Sequence, residues 1–334
     1  MSQVGSPTIP RPHFDAVPLL LFPIIMLLLW PLVSPSTWLT LTVAGLAMGM
    51  ILFLVTSGLT LVFGLMDVLN FGHGVFISLG AYAGYVAMRP LSAWVASPTL
   101  GLNLAVVGIG VLAGMVVAGI AGFLFERIII RPAYGSHLKQ MLVTMGGLIV
   151  VQEIIRGVWG GEATAVGMPE RLRGAFLVGD VAIEKYRIFA MIAGTLILAA
   201  MLWTFNRTKI GILIRAGVQN REMVQSLGYR VDRLFVGVFT AGSMLAGIGG
   251  VMWALYQQSV RPEMGGDLTV LIFTVIIIGG LGSTFGCFIA ALLVGLTTNY
   301  TGFISPTFGP FSNLVLLVAI LFWRPGGIYP VANR

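Results

Sequence analysis

Residues 58–85 read GLTLVFGLMDVLNFGHGVFISLGAYAGY, so that an apolar region is interrupted by an acid, an amide and a histidine between two glycines. Polar groups at membrane depth are costly unless they face protein or a water-filled path. The glycines release the backbone from helical geometry, which leaves amides and carbonyls that a polar solute can use. We therefore expect a broken membrane helix beside a solute path. Its candidate path residues are Asp67, Asn70, Gly72, His73 and Gly74.

Two of these residues also have a simpler interpretation. A histidine such as His73 is more often an interhelical hydrogen-bond partner than a ligand, and Asp67 can equally lie at a membrane interface, where a charge costs little. The sequence leaves both interpretations open.

The composition around this stretch is that of a membrane protein. Of the 334 residues, 57% are hydrophobic and 9% are charged, against about 25% charged residues in a soluble domain. A spanning helix needs about 20 predominantly apolar residues. The windows without Asp, Glu, Lys or Arg are 16–66, 68–88, 90–125, 188–206, 234–260 and 268–323. Water is therefore not the main solvent of the fold.

The apolar length predicts an all-α fold, a polytopic transmembrane bundle of about eight to ten helices, two of them broken at glycines. The predicted segments are 17–33, 38–66, 70–88, 100–125, 138–158, 187–205, 233–257, 268–298 and 308–323. We interpret 17–33 as an anchor helix and not as a cleaved signal peptide, because no small-residue cleavage site follows it. The predicted organisation is a polar leader at 1–15 and a single transmembrane domain at 16–334.

Basic residues indicate which loops face the cytoplasm. Residues 206–233 carry six Lys or Arg against two acids, and 126–139 and the tail from Arg324 are also basic. The positive-inside rule places these segments in the cytoplasm. The loop at 160–187 has balanced charge and is predicted to be external.

Several functions are disfavoured by the same data. The net charge of +7 is scattered between apolar runs, so it indicates topology and not nucleic-acid binding. The glycine-rich 279–283 lacks the P-loop lysine, the histidines lack metal spacing, and Cys287 has no partner cysteine. We predict no catalytic residue, no metal site, no cofactor and no enzyme.

The basic loop also contains a predicted short helix from about 219 to 227, which Gly228 would end. Such a helix can dock in a groove of a nucleotide-binding subunit, or the segment can be a solvated basic linker near anionic lipid. The residues alone favour neither interpretation.

Glycine spacing predicts close helix packing and a weak internal repeat. The G-x-x-x-G pairs Gly45/Gly49, Gly80/Gly84, Gly110/Gly114 and Gly282/Gly286 permit close backbone approach in lipid. Residues 74–77 (GVFI) align with 286–289 (GCFI), which suggests two related halves with broken helices at matching places.

Three ordered motifs carry a resemblance over residues 40–328. The first is Gly58-Leu59-Thr60, Asn70-Phe71, His73-Gly74 and Leu79-Gly80-Ala81-Tyr82; the second is FTVIIIGGLGSTFGCFIAALLVG at 273–295; the third is RAGVQNREMVQSLGYRVDR at 215–233. The tail Arg324-Pro325-Gly326-Gly327 also fits. The chain resembles the BPD-type-2 permease family, specifically the H-type permease of high-affinity branched-chain amino-acid ABC importers.

The resemblance implies a bacterial inner-membrane permease for branched-chain amino acids or related small carboxylates or amides. It implies a homologous second permease, two ATPase subunits, a periplasmic or extracellular solute-binding protein and the lipid bilayer as partners. Further implied path residues are Gly279, Gly280, Gly282 and Ser283. The implied ATPase-coupling residues are Arg215, Gly217, Gln219, Asn220, Glu222, Met223, Leu227 and Gly228. Members often carry glycine where Asp67 stands and an acid where Val75 stands, which puts the substrate in question.

Two other transport mechanisms stay open at this stage. An ion-coupled transporter needs ionisable groups within the spans, for which Asp67 and Glu153 are the candidates, although Glu153 can pair with Arg156 one turn away. A passive channel for urea or a similar solute would conduct without ATP.

Overall fold

The computed structural model of the chain describes residues 16–209, 211–213, 216 and 221–330. The described residues form twelve α-helices: α1 (Leu21–Leu29), α2 (Pro35–Met66), α3 (Gly74–Met88), α4 (Ser92–Val95), α5 (Leu100–Phe125), α6 (His137–Trp159), α7 (Lys185–Arg207), α8 (Arg221–Ser226), α9 (Val231–Gln257), α10 (Met264–Gly279), α11 (Thr284–Ile304) and α12 (Gly309–Trp323). The all-α prediction is therefore confirmed.

Six of these elements are long and apolar enough to cross a membrane, among the residues described. They are Pro35–Met66, Leu100–Ala133, His137–Trp159, Lys185–Arg207, Val231–Gln257 and Thr284–Ile304. The shorter apolar helices are α3 and α10, together with Val17–Leu32 and Phe311–Trp323. Both predicted breaks are present, since α2 and α3 are separated at residues 67–73 and α10 and α11 at residues 280–283.

Helix α2 is the centre of the bundle. It starts after Ser34, whose Oγ accepts the N–H of Thr37 at 3.3 Å and caps the helix. Residues 51–63 are all buried, so this helix is enclosed around its whole circumference. Its three buried hydroxyls, on Thr56, Ser57 and Thr60, donate to carbonyls of the same helix. Helices α9 and α11 pack against it, and α1 packs on α11 through Phe22 and Ile25 near Leu296.

Glycines set how closely these helices approach. A Cβ on Gly58 would clash with the backbone of Gly242 in α9, and a Cβ on Gly242 would lie 2.7 Å from the carbonyl oxygen of Gly58. Gly74 and Gly265 clash reciprocally in the same way where α3 and α10 begin. Only glycine permits backbones to approach this closely.

These reciprocal contacts indicate two related halves. Helices α2, α3 and α5 of the first half correspond to α9, α10 and α11 of the second half. The third helix of each half packs on the first helix of the other half: Gly114 of α5 lies against Gly247 of α9, and Gly295 of α11 lies against Gly49 of α2. The predicted alignment of Gly74 with Gly286 is wrong, since Gly74 opens a second helix and Gly286 lies in a third one. Both are glycines near a helix start, and this local likeness misled the alignment.

Among the predicted G-x-x-x-G pairs, three lie within helices and contact a neighbouring helix through at least one glycine. The fourth does not lie within one helix: Gly282 is in the turn before α11 and packs on Gly64, whereas Gly286 is inside α11 and packs on Gly279.

The two ends of the bundle differ in charge and structure. At one end, which we call the basic end, the C-terminal parts of α2 and α7 meet the start of α9, and residues 126–136 follow α5. The described parts of the segments predicted to be cytoplasmic lie here. The opposite end carries the strands β1 (Thr164–Ala165), β2 (Ala175–Val178), β3 (Val181–Glu184) and β4 (Ser259–Val260). β1 pairs with β4 and β2 with β3, both antiparallel; these short strands were not expected from the sequence.

Candidate functional site

The break between α2 and α3 carries two polar side chains into the protein interior. Asn70 is extended and 0% exposed, and His73, in the 3-10 turn Phe71–His73, is 1% exposed. The side-chain amide of Asn70 makes no hydrogen bond with a described residue. The ring nitrogens of His73 make none of ordinary geometry, although the backbone of Val55 lies within reach of the ring. Buried polar groups are almost always paired, so these atoms need an explanation beyond folding.

Helix α6 holds the backbone of this break. The Leu69 N–H donates to Oε1 of Gln140 at 3.2 Å, and the Phe71 N–H donates to Oγ1 of Thr144 at 3.1 Å. Both α6 side chains are buried. The break therefore has a fixed backbone while the side chains of Asn70 and His73 keep their hydrogen-bonding capacity.

Sequence reasoning missed Gln140 and Thr144. Their spacing of four residues on an apolar helix was the available signal, because it places two polar groups on one helix face. The residues that this face contacts could not be predicted from the sequence, since each contact joins residues more than 70 positions apart.

His73 lies under the crossing of α2 and α9. A Cβ on Gly58 would come within 3.1 Å of its Cε1, and the backbone of Val55 lies beside the ring. The ring also meets Phe76 edge-on, with centroids 5.9 Å apart. His73 thus contacts a pair of helices whose backbones touch.

The N-terminal ends of α3 and α10 meet next to this break. Ser78 connects them, because its Oγ accepts the Gly265 N–H at 2.9 Å and donates to the Pro262 carbonyl at 3.4 Å. Phe71 stacks on Phe273 of α10 with centroids 4.4 Å apart. Helix N-termini carry partial positive charge, and two of them meet where Gly74, the residue after His73, contacts Gly265.

The other predicted path residues lie elsewhere. Gly280 and Gly282 have φ of +96° and +82° in the turn between α10 and α11, and Ser283 caps α11 by accepting the Gly286 N–H at 3.0 Å. Gly279 accepts the Tyr329 N–H at 3.1 Å. No hydrogen bond or ring contact among the described residues joins this turn to Asn70 or His73.

Asp67 ends α2 at the basic end. Its side chain is 56% exposed and lies 3.7 Å from Nε2 of His137. Its φ of +54° is left-handed, a conformation that favours glycine. This geometry gives a physical reason why glycine suits the position.

The predicted coupling residues are only partly described. Arg215, Gly217, Gln219 and Asn220, and the side chain of Glu222, lie outside the described residues. Helix α8 buries Val224 and exposes Met223, and Leu227 directly after the helix is also exposed; the two exposed side chains are 51% and 69% exposed. Gly228 has φ +85°, and its N–H and that of Tyr229 donate to Gln225 and Val224 carbonyls. The helix therefore ends in the glycine motif that the sequence predicted.

An ion-pair cluster joins α6 to α10 at the opposite end. Arg156 contacts Glu153 at 2.7 Å, as the sequence suggested, and Glu263 at 2.5 Å. The hydrogen bond from Arg156 holds the pKa of the Glu263 carboxyl below its ordinary value. Arg261 and Asp267 form a second pair at 2.8 Å.

A bundle of long apolar helices, broken around a buried polar turn, defines a multi-pass membrane transport protein. A family model described as branched-chain amino acid transport system / permease component matches residues 41–323, and the chain belongs to that family. It is a transport permease family.

Individual relatives agree with this assignment. The chain is 25% identical over 296 residues to the high-affinity branched-chain amino acid transport system permease protein BraD of Pseudomonas aeruginosa, covering 86% of this chain and 94% of that protein. It is 24% identical to LivH of Escherichia coli K12 over 85% and 92% of the two chains. It is 25% identical to a probable permease LivM of Methanocaldococcus jannaschii over 83% and 90%. No solved structure matches the chain significantly.

Proposed function

We propose that this chain is the permease subunit of an ABC importer in the bacterial inner membrane, carrying branched-chain amino acids or related small carboxylates or amides. It forms one side of the translocation path and transmits movement from separate ATPase subunits. The family assignment supports the transport class. The buried and unpaired amide of Asn70, next to the buried imidazole of His73, is the observation that supports this location of the path.

The chemistry of the break suits a zwitterionic or amide solute. An asparagine amide offers both donors and acceptors, and neutral imidazole offers one of each. The converging N-termini of α3 and α10 favour a carboxylate. The apolar rings of Phe71 and Phe273 provide surface for an aliphatic side chain. Asn70, Gly72, His73 and Gly74 therefore form the central part of the proposed path, and Asp67 with the turn of Gly279, Gly280, Gly282 and Ser283 forms its basic end.

The segment around α8 is the proposed contact with the ATPase. Val224 anchors the short helix in the protein, while Met223 and Leu227 present apolar surface to the outside. Large exposed apolar side chains on a basic, polar segment are typical of a docking surface. Only residues 227–230 separate α8 from α9, so movement of the docked helix would reach the bundle directly.

A related second permease is the proposed partner within the membrane. The chain resembles both a LivH and a LivM relative of one organism, Methanocaldococcus jannaschii, which supports a pair of related subunits. Two ATPases and an external binding protein complete the proposed importer.

The positions of two carboxylates speak against the ion-coupled alternative. Glu153 pairs with Arg156, and Asp67 pairs with His137 at a helix end, with more than half of each carboxylate side chain exposed. An ion-coupling carboxylate is expected inside the bundle or on a water-filled path.

Reconstituted uptake of leucine tests the proposal. The complete importer in liposomes should take up leucine only when both ATPase subunits and ATP are present. Leu227→Glu should abolish this uptake, because it places a charge in the docking surface. Leu138→Glu changes an equally exposed leucine at the start of α6 and should leave it intact. Uptake without ATPases, or normal uptake in Leu227→Glu, would refute the proposed coupling.

A further inference from the structure

The basic end contains a pocket that the transport path does not use. Its volume is about 600 Å³, and it lies between the segment after α5 and the segment joining α8 to α9. Four guanidinium groups line it: Arg127, Arg131, Arg230 and Arg233. Glu126 and Asp232 are its acids, which leaves two net positive charges, so the pocket favours an anion.

Glu126 shows that the pocket needs a particular kind of occupant. The residue is 1% exposed, and its Oε1 accepts the Tyr134 hydroxyl at 2.9 Å. Its Oε2 is buried without a hydrogen-bond partner. The five residues Glu126–Ile130 form a π-helical turn, a distortion that often marks functional sites. An occupant that offers a hydrogen-bond donor beside its negative charge would satisfy this oxygen.

An apolar groove continues from this pocket towards the membrane. The groove has a volume of about 470 Å³ and shares Arg127, Arg233 and Val236 with the pocket. Its other residues are Phe123, Gly237, Thr240, Ala241 and Met244. The guanidinium of Arg127 lies 5.6 Å from the ring centre of Phe123, at the junction of the two cavities. The small residues Gly237 and Ala241 are exposed and leave room along α9.

We propose that the pocket and groove together bind an anionic phospholipid of the adjoining leaflet whose headgroup carries hydroxyl groups. The phosphodiester lies among the four arginines, a headgroup hydroxyl donates to Oε2 of Glu126, and one acyl chain lies in the groove. Basic pockets beside membrane helices bind anionic headgroups in this way. The continuous apolar groove favours a lipid over free phosphate. The lipid would join the α5 end to the α8–α9 segment.

Native mass spectrometry of the delipidated full-length chain, titrated with single lipids, tests this. Phosphatidylglycerol should bind more tightly than phosphatidylcholine, which has no net charge, and more tightly than phosphatidic acid, which lacks the glycerol hydroxyls. Soluble glycerol phosphate should bind far more weakly than phosphatidylglycerol. The double variant Arg127→Ala/Arg233→Ala should bind phosphatidylglycerol about thirtyfold more weakly, since each basic residue near the surface contributes about a fivefold step in affinity.

Two further variants distinguish binding at this site from a general attraction to the positive charge of the basic end. Arg207→Ala/Lys209→Ala removes the same charge at the basic end, outside the pocket, and should change the affinity less than twofold. Ala241→Trp fills the groove and should weaken binding with all arginines present.

Equal binding of phosphatidylcholine, or unchanged binding in the arginine double variant, would overturn the site. Equal binding of phosphatidic acid would overturn the contact to Glu126, and tight binding of glycerol phosphate would overturn the role of the groove. If the arginine variant keeps its lipid but loses a co-purifying ATPase, the pocket is a protein-docking site and the proposal is wrong.

Discussion

Two buried asparagines, one with three side-chain hydrogen bonds and one with none to a described residue, provide the sharpest test of the proposed path. Asn103 and Asn70 are both 0% exposed. Asn103 donates to the carbonyls of Trp94 and Ser97 at 2.7 and 3.1 Å and accepts the Arg171 N–H at 2.7 Å. Asn70 makes no side-chain hydrogen bond with a described residue. Leucine has the same branching and the same number of side-chain heavy atoms as asparagine but is larger, so Asn→Leu removes the amide from each site without opening a cavity, at some cost in overpacking.

The two substitutions are expected to change the free energy of unfolding differently. Each net hydrogen bond contributes about 1 kcal/mol, so Asn103→Leu should destabilise the protein by about 3 kcal/mol, and by more if its former partners stay buried and unpaired. An unsatisfied buried polar group costs about 1–3 kcal/mol, so Asn70→Leu should leave stability unchanged or raise it by about 1 kcal/mol after imperfect packing.

Stability and transport must be measured together on the same preparations. Unfolding in mixed micelles with increasing sodium dodecyl sulfate gives the stability, and ATP-driven leucine uptake in liposomes gives the activity. Asn70→Leu should lose uptake while its stability is kept or increased. Asn103→Leu should yield less folded protein with normal uptake per folded molecule. If Asn70→Leu is destabilised as strongly as Asn103→Leu, Asn70 is a structural residue and its place on the path is refuted.

Three other expectations follow from the contacts. Gly58→Ala, at the α2–α9 crossing, should destabilise the protein by about 1–3 kcal/mol because its methyl meets backbone, whereas Gly108→Ala, which has nothing within 4 Å, should be neutral or slightly stabilising in the same assay. Gln258 has a left-handed φ of +53°, so Gln258→Gly should raise stability by about 0.5–1 kcal/mol, while Gln257→Gly, at the last residue of α9, should lower it by up to about 1 kcal/mol. The hydrogen bond from Arg156 lowers the pKa of Glu263, so this carboxylate contributes stability that is complete above its ordinary pKa and is lost as the pH falls through the lowered pKa. Thermal melts should therefore show wild type to be more stable than Glu263→Gln at neutral pH and equally stable in acid. A stability difference that does not change with pH would refute the pairing.

The sequence predicted the helical class, the spans and both breaks because these depend on local properties. Apolar length and the position of glycines are visible in any window of about 20 residues. The exact partner of each glycine was not visible. Gly74 faces Gly265 and not a residue near Gly286, and such a contact is decided by how whole helices pack.

Buried polar residues at helix ends were the main feature that the sequence concealed. Glu126 follows the apolar α5 and precedes basic residues, so it resembled an ordinary interfacial charge. The π-helical turn rotates it inward, where it is 1% exposed. The glycines at Gly280 and Gly282 suggested a path, and their positive φ values give a second, structural reason for glycine there, so their place on the path stays a prediction.

The glycine crossings also constrain how movement at the basic end can reach the proposed path. Helix α9 follows α8 after a short turn, and its Gly242 touches Gly58, directly above His73. Backbones in such close contact have no side chains between them to absorb a displacement, so α2 and α9 are expected to shift together as one body. The break at residues 67–73 is instead held to α6 by two hydrogen bonds from Gln140 and Thr144. A rigid shift of α2 against α6 would therefore change the surroundings of Asn70 and His73 first, which is where an importer needs force from its ATPases to act.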